Sequence, residues 1–169
     1  DFQFVNLEPS EGVPALINGS VDAIWEWEPW NRKAMSIKPG AYHVLGSSSD
    51  DTYQGYYITV VRKQFADENP EAVTAYLKSL GEAIADITAK PDEAAEYYAK
   101  RLRISVPEAK EAISDYKMGL QLNATVLKSL TDVSDYLVAN GKVAKKVDWK
   151  SIVEPKYLKA VDPKLVKDF

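Results

Sequence analysis

Val21-Asp22-Ala23-Ile24-Trp25-Glu26-Trp27-Glu28-Pro29-Trp30 runs from an apolar strand pattern into a proline turn and gathers three tryptophans and two glutamates on the way. A strand sends alternate residues to opposite faces. Trp25 and Trp27 are therefore expected on one face, and Ile24, Glu26 and Glu28 on the other. Pro29 has a fixed φ and no N–H, which suits the first turn of a helix. That puts Glu28 near the N-cap and Trp30 in the first turn. In open α/β sheets, ligands bind beyond the carboxyl ends of the strands, so the stretch reads as a strand-to-helix corner facing a cleft. Trp25 reads as core. At the corner itself, Trp27, Glu28 and Trp30 read as a ligand site, the alternative being packed tryptophans beside a capping or solvated glutamate.

The pattern on either side extends this. Phe2 to Leu7 alternates as a strand, broken by Glu8-Pro9. Ser10 is a fair N-cap for a short helix with Val13, Leu16 and Ile17 on one face and Gly19 just past its end. After the Val21–Trp27 strand, a helix is expected from about Pro29 to Ile37, closed by Pro39-Gly40, and then a strand at Tyr42–Leu45. Strands alternating with helices predict a largely parallel sheet. Residues 46–52 (Gly-Ser-Ser-Ser-Asp-Asp-Thr) are a polar break: a hinge, a linker, or a loop lining a site. Tyr53 to Arg62 is rich in tyrosine and β-branched residues and reads as one more strand. Tyr53 and Tyr56 suit a cleft wall or a sheet surface equally.

Beyond Arg62 the periodicity becomes helical. Asn69-Pro70-Glu71 opens a long helix with Val73, Tyr76, Leu77, Leu80, Ile84 and Ile87 on one face. Pro91 opens a second, with Ala94, Ala95, Tyr98 and Leu102 inward. Ser105-Val106-Pro107-Glu108 is a capping box that opens a third. Leu127, Leu130, Val133 and Leu137 mark a fourth, ended by Asn140-Gly141, and Asp148–Val153 and Lys156–Val161 read as short terminal helices. Three or four strands make a marginal sheet alone. The abrupt strand-like opening adds to the expectation of a piece of something longer, or of dimerisation or strand exchange that completes the sheet.

Composition narrows the chemistry. With 46% hydrophobic and 27% charged residues among 169, the chain is ordinary for a folded domain. Its net charge of −4 and lack of a basic tract argue against nucleic acid. There is no cysteine, hence no disulfide framework, cysteine metal site or thiol nucleophile. The one histidine, His43, stands in an expected strand and reads as surface or packing. No phosphate loop, nucleophile elbow or metal spacing is present. No catalytic residue, metal ligand or cofactor is therefore expected.

Several runs resemble a known family. Pro14-Ala15-Leu16-Ile17-Asn18-Gly19-Ser20-Val21-Asp22-Ala23, continuing into Trp27-Glu28-Pro29-Trp30, resembles the "AL-x-x-G-x-VDA…W-[DE]-P-[YW]" run of periplasmic solute-binding proteins of ABC importers for nitrate, taurine, alkanesulfonates and thiamine precursors. Residues 57–77 are similar to that family's "vvR-x-x-F-x-x-x-x-P-x-x-V-x-x-yL" segment, Pro91-Asp92-Glu93-Ala94-Ala95 to its "nP-x-E-A-A", and residues 130–137 to its late "aD-y/f-l" helix. The order and spacing hold over nearly the whole chain.

The resemblance implies the C-terminal part of a two-lobed α/β periplasmic-binding-protein fold (type II, a Venus flytrap): a short, mostly parallel sheet followed by a helical array. Residues 1–50 would end the second lobe, 51–62 would be the hinge or crossover strand, and 63–169 would be the helical share of the first lobe. It implies a small-molecule ligand held between lobes, an ABC permease as partner, and a periplasmic (or extracellular, membrane-anchored) location. It nominates Trp27, Glu28, Trp30, Tyr53 and Tyr56 as ligand-binding residues. Glu28 would favour an amine or amidine over a bare anion, and the tryptophans a cationic or flat heteroaromatic group. The expected ligand is an amino-sulfonate, sulfonate, amine or pyrimidine-like compound. Alternatively, Glu28 caps its helix or pairs with an arginine from the missing N-terminal half. Two other readings are an enzyme of the thiamine-pyrimidine synthase type, whose cysteine-rich motif and reactive histidine have no counterpart here, and a ligand-sensing domain of a signalling protein.

Overall fold

The computed structural model describes residues 2–46 and 55–169. Their contacts divide into two units: residues 2–46 with Lys90–Lys117, and residues 55–89 with Met118–Phe169.

In the first unit, α1 (Pro9–Ile17) and α2 (Trp30–Ile37) flank the corner. The α1 N-cap is Glu8, which forms a reciprocal capping box with Glu11, displacing the expected Ser10 into the helix. Gly19 follows at φ 77°, a left-handed position that ends the helix at low steric cost. Val13 and Ala34 are the buried contacts of the two helices. The unit is completed by α5 (Pro91–Leu102) and α6 (Val106–Ser114), which pack through Ala95, Ala99 and Ala109 with Tyr98, Ile104 and Ile113 around them. Small side chains let the two backbones approach closely. Ser105 caps α6 by accepting from the Glu108 N–H, and the Glu108 carboxylate accepts from the Ser105 N–H at 2.8 Å.

In the second unit, α3 (Lys63–Glu68) and α4 (Pro70–Ala89) lead to β1 (Leu122–Asn123), α7 (Ala124–Ala139), α8 (Trp149–Ile152), α9 (Lys156–Val161) and β2 (Val166–Lys167). Helix α9 packs on α4 and buries Tyr157 and Leu158; the Tyr157 hydroxyl donates to the Ala66 carbonyl at 2.8 Å. Asn123 caps α7 by accepting from the Val126 N–H. The helices expected from Asn69, Pro91, Ser105, Leu127, Asp148 and Lys156 all form. Helix α3 was not anticipated: six residues are too few to show a helical repeat.

The expected strands are corrected. Phe2–Leu7, Val21–Trp27, Tyr42–Leu45 and residues 55–62 run without strand pairing, and the only sheet among the described residues joins β1 to β2 in parallel, Leu122 opposite Val166. An alternating pattern prepares a segment for a sheet but supplies none of the neighbour's N–H and C=O groups. Without a neighbouring strand, Phe2, Phe4, Val44, Leu45 and Val60 stay exposed. The mixed α/β character thus rests on many helices and one short parallel ladder.

Candidate functional site

The corner lies wholly within the first unit. Its burial alternates as a strand's would: Ile24, Glu26 and Glu28 are half-buried, while Trp25 and Trp27 face outward at 82% and 58% exposure. Trp25 is therefore not core, because no layer packs over its side of the segment. The turn into α2 closes through the Trp30 N–H to the Trp27 carbonyl at 3.1 Å, and Asn31 Nδ2 donates back to the Glu26 carbonyl at 2.5 Å. The Glu28–Pro29 peptide is cis, and Pro29 is the α2 N-cap rather than its first helical residue. Trp30 sits half-buried in the first turn, with Lys33 Nζ 5.3 Å from its ring centroid. The face of that indole already attracts a cation.

Glu28 is the residue with unspent capacity. Its side chain is 19% exposed, and its Oε2 is buried with no hydrogen-bond partner. Arg32, one helical turn on, brings Nε to 3.6 Å from that oxygen, and this Nε is itself buried and unpartnered. The gap is too wide for a hydrogen bond. The guanidinium is drawn the other way: Nη1 donates to Glu111 Oε2 and Nη2 to Asp115 Oδ2 at 2.5 Å. One cation thus faces three carboxylates. Burial pushes the Glu28 carboxyl above the ordinary range; Arg32 opposes this, and Asp115 and Glu111 add to it. Glu26 is raised by burial as well; its Oε2 is buried without a partner, and its Oε1 lies against α1 where a side chain on Gly12 would begin, 2.9 Å away.

Of the residues nominated from sequence, Trp27, Glu28 and Trp30 lie along this corner, Trp27 exposed and Glu28 and Trp30 half-buried. Tyr56 belongs to the second unit, where it lines a cleft of about 230 Å³ with Leu130, Val133 and Leu137 of α7, Val147 and Trp149. The Trp149 indole N–H is buried there without a partner. Tyr53 lies outside the described residues. Sequence reading missed Arg32, Glu111 and Asp115. The i, i+4 spacing of Glu28 and Arg32 announces the first of these; nothing local announces α6, some 80 positions later. Among the described residues, no group of three or more His, Cys, Asp or Glu is arranged to hold a metal ion, and no helix is long and apolar enough to cross a membrane.

Comparison with known proteins bears on the setting. A Bacillus subtilis (strain 168) protein named as aliphatic sulfonates-binding is 28% identical over 94% of this chain and 48% of its own length. The taurine-binding periplasmic protein of Escherichia coli (strain K12) is 29% identical over 83% of this chain and 48% of its own length. A Brucella abortus (strain 2308) binding protein is 26% identical over 95% of this chain and 53% of its own length. The chain thus spans about half the length of the curated relatives it matches. No solved structure matches it. Residues 1–103, which include the whole corner, match the NMT1-like family, and the chain belongs to that family.

Proposed function

We propose that the protein carrying this chain is the substrate-binding component of an ABC importer. It captures a small organic solute between two lobes and delivers it to a membrane permease. It works in the periplasm, or anchored at the outer face of the membrane, and no bond chemistry is involved. The ligand carries a cationic nitrogen; an amino-sulfonate is the first choice, ahead of a simple amine or a pyrimidine-like compound. The observation that carries this reading is the buried, unpartnered Oε2 of Glu28 beside the exposed Trp27. An orphaned buried carboxylate is costly, and a ligand ammonium would relieve that cost. Relatives named for aliphatic sulfonates and taurine support the sulfonate part of the choice.

In this arrangement Glu28 takes the ligand's cationic end, Trp27 and Trp30 belong to the same corner, and Tyr53 and Tyr56 stand near the hinge. Residues 1–50 close the second lobe, 51–62 cross over, and the helices from 63 onward serve the first. Affinity comes from burying the ligand as the lobes close, with polar groups fixing its orientation.

The test is a thermal-shift series on the full-length protein with taurine, ethanesulfonate, nitrate, simple amines and pyrimidines. A ligand that binds only the folded state raises the Tm by mass action. Stabilisation by taurine well beyond that by ethanesulfonate is the expected result. Preference for ethanesulfonate or nitrate would keep the importer and overturn the role of Glu28.

A further inference from the structure

We propose that Glu111 and Asp115 are positioning residues for the ligand site: by holding the Arg32 guanidinium, they keep it off Glu28 and leave that carboxylate free for a cationic ligand. This rests on the reading of Glu28 as the ligand's ammonium contact. Arg32 is the natural partner of Glu28. It lies one turn away on α2, its side chain is only 22% exposed, and its Nε stops 3.6 Å short of Glu28 Oε2. Both of those atoms are buried, and neither has a hydrogen-bond partner. The two groups form an ion pair without a hydrogen bond. The cause is visible at the other end of the guanidinium, where Nη1 and Nη2 are both engaged, by Glu111 near the end of α6 and by Asp115 at its C-cap. The Nε–H is still available as a donor, but with both terminal nitrogens bonded to α6 the guanidinium sits where that N–H stops 3.6 Å from Glu28 Oε2.

The arrangement sets the charge that a ligand meets. With Arg32 bonded elsewhere, Glu28 keeps one carboxylate oxygen, Oε2, that no hydrogen bond fills. With Arg32 released, Glu28 would gain a bidentate partner and lose its claim on a ligand ammonium. The charged groups acting on Glu28 are Arg32 on its own helix and Glu111 and Asp115 from α6. Glu111 and Asp115 are exposed and bond Arg32 directly, and their own negative charge also raises the Glu28 carboxyl.

The experiment is a three-variant series in the full-length protein: E111Q/D115N, R32Q, and the triple variant E111Q/D115N/R32Q. Taurine affinity is read by calorimetry, and the Glu28 carboxyl titration by carbon-detected NMR without ligand. The double variant should bind taurine about fivefold more weakly, as expected for exposed ion pairs worth under about 1 kcal/mol each. The Glu28 titration should move to lower pH, both from the lost like charges and because Arg32 now bonds the carboxylate. Adding R32Q should restore the affinity and raise the titration again, by more than R32Q alone raises it in the otherwise unaltered protein. If R32Q shifts the titration equally in both backgrounds, or fails to reverse the effects of the double variant, the positioning role is overturned and the bridges merely tie α2 to α6. The NMR arm needs no ligand. A titration that moves and returns while taurine fails to bind the unaltered protein would uphold the restraint on Arg32 and sink only the ligand assignment.

Discussion

The α5–α6 hairpin and the Val21–Trp30 corner share one unit and obey opposite rules. In the hairpin, every device is local and complete: Pro91 starts one helix, Ser105 and Glu108 cap the next reciprocally, and three alanines fill the seam. At the corner, large apolar rings face outward and two buried carboxylate oxygens have no hydrogen bond. A segment organised for stability alone would reverse this, since rings are favoured inside and buried charge is favoured only when fully bonded. The proposed ligand role of the corner rests on that difference.

The contrast is tested most strongly at Glu28. Glu28→Gln keeps the shape and removes the charge. It should weaken binding of an ammonium-bearing ligand about a hundredfold, within the roughly 2–5 kcal/mol lost when one partner of a desolvated charge pair is truncated. The ligand-free Tm should hold or rise. Calorimetric titration with taurine reads the first effect and a melting curve the second. Equal loss of affinity and of Tm would make Glu28 structural and erase the distinction between the two regions.

Next in size is a pair of substitutions judged together. Ala95→Leu overpacks a fully buried seam and should cost about 1–3 kcal/mol, at about 2–4 °C of Tm per kcal/mol for a chain of this length. Trp25→Ala removes a far larger side chain, yet at 82% exposure it should change stability by less than about 0.5 kcal/mol. Denaturant unfolding of both variants decides. A larger loss from Trp25→Ala would show that a packing layer covers the corner in solution.

Ser105→Ala should cost about 1 kcal/mol by removing one half of the capping box. It also carries a pH signature. The Ser105 hydroxyl and N–H hold the Glu108 carboxyl below its ordinary range. A lowered folded-state pKa contributes stability that is present above the unfolded pKa and lost as the pH falls through the folded value. The gap between wild type and Ser105→Ala should therefore narrow on acidification below the ordinary glutamate range. A gap independent of pH would mean that the box is not formed.

The same contrast explains what could be read from the sequence. Helix ends were legible at Pro70, Pro91, Ser105 and Asn140-Gly141 because caps act within four residues. The two faces of Val21–Trp27 were legible from its alternation, and the burial of Ile24, Glu26 and Glu28 follows it. Strand pairing was not legible, since period two specifies a face and says nothing of a neighbour. The burial of Trp25 was misjudged for the same reason: an outward face becomes core only when another layer meets it. At the site, Glu28 stood out by its place before Pro29. Its restraint through Arg32 did not, because Glu111 and Asp115 are 79 and 83 positions away from the arginine they hold.

The smallest effect is the mirror of the capping box and falls on Glu26. Its carboxyl is raised by burial, with no hydrogen bond to its Oε2 to offset the cost. A raised folded-state pKa makes a contribution that is complete below the unfolded pKa and is lost as the pH rises through the folded value. Wild type therefore forfeits some stability between the ordinary glutamate range and neutrality, and Glu26→Gln, which cannot ionise, does not. The variant should match wild type in acid and exceed it at pH 7, by less than about 1 kcal/mol because the side chain remains partly open to solvent. The slope has the opposite sign to that of the Ser105–Glu108 pair, so urea titrations of the two variants at several pH values set the regions directly against each other. Parallel slopes would show that Glu26 finds a partner in solution, which would leave Glu28 as the one uncompensated carboxylate on the corner's inner face.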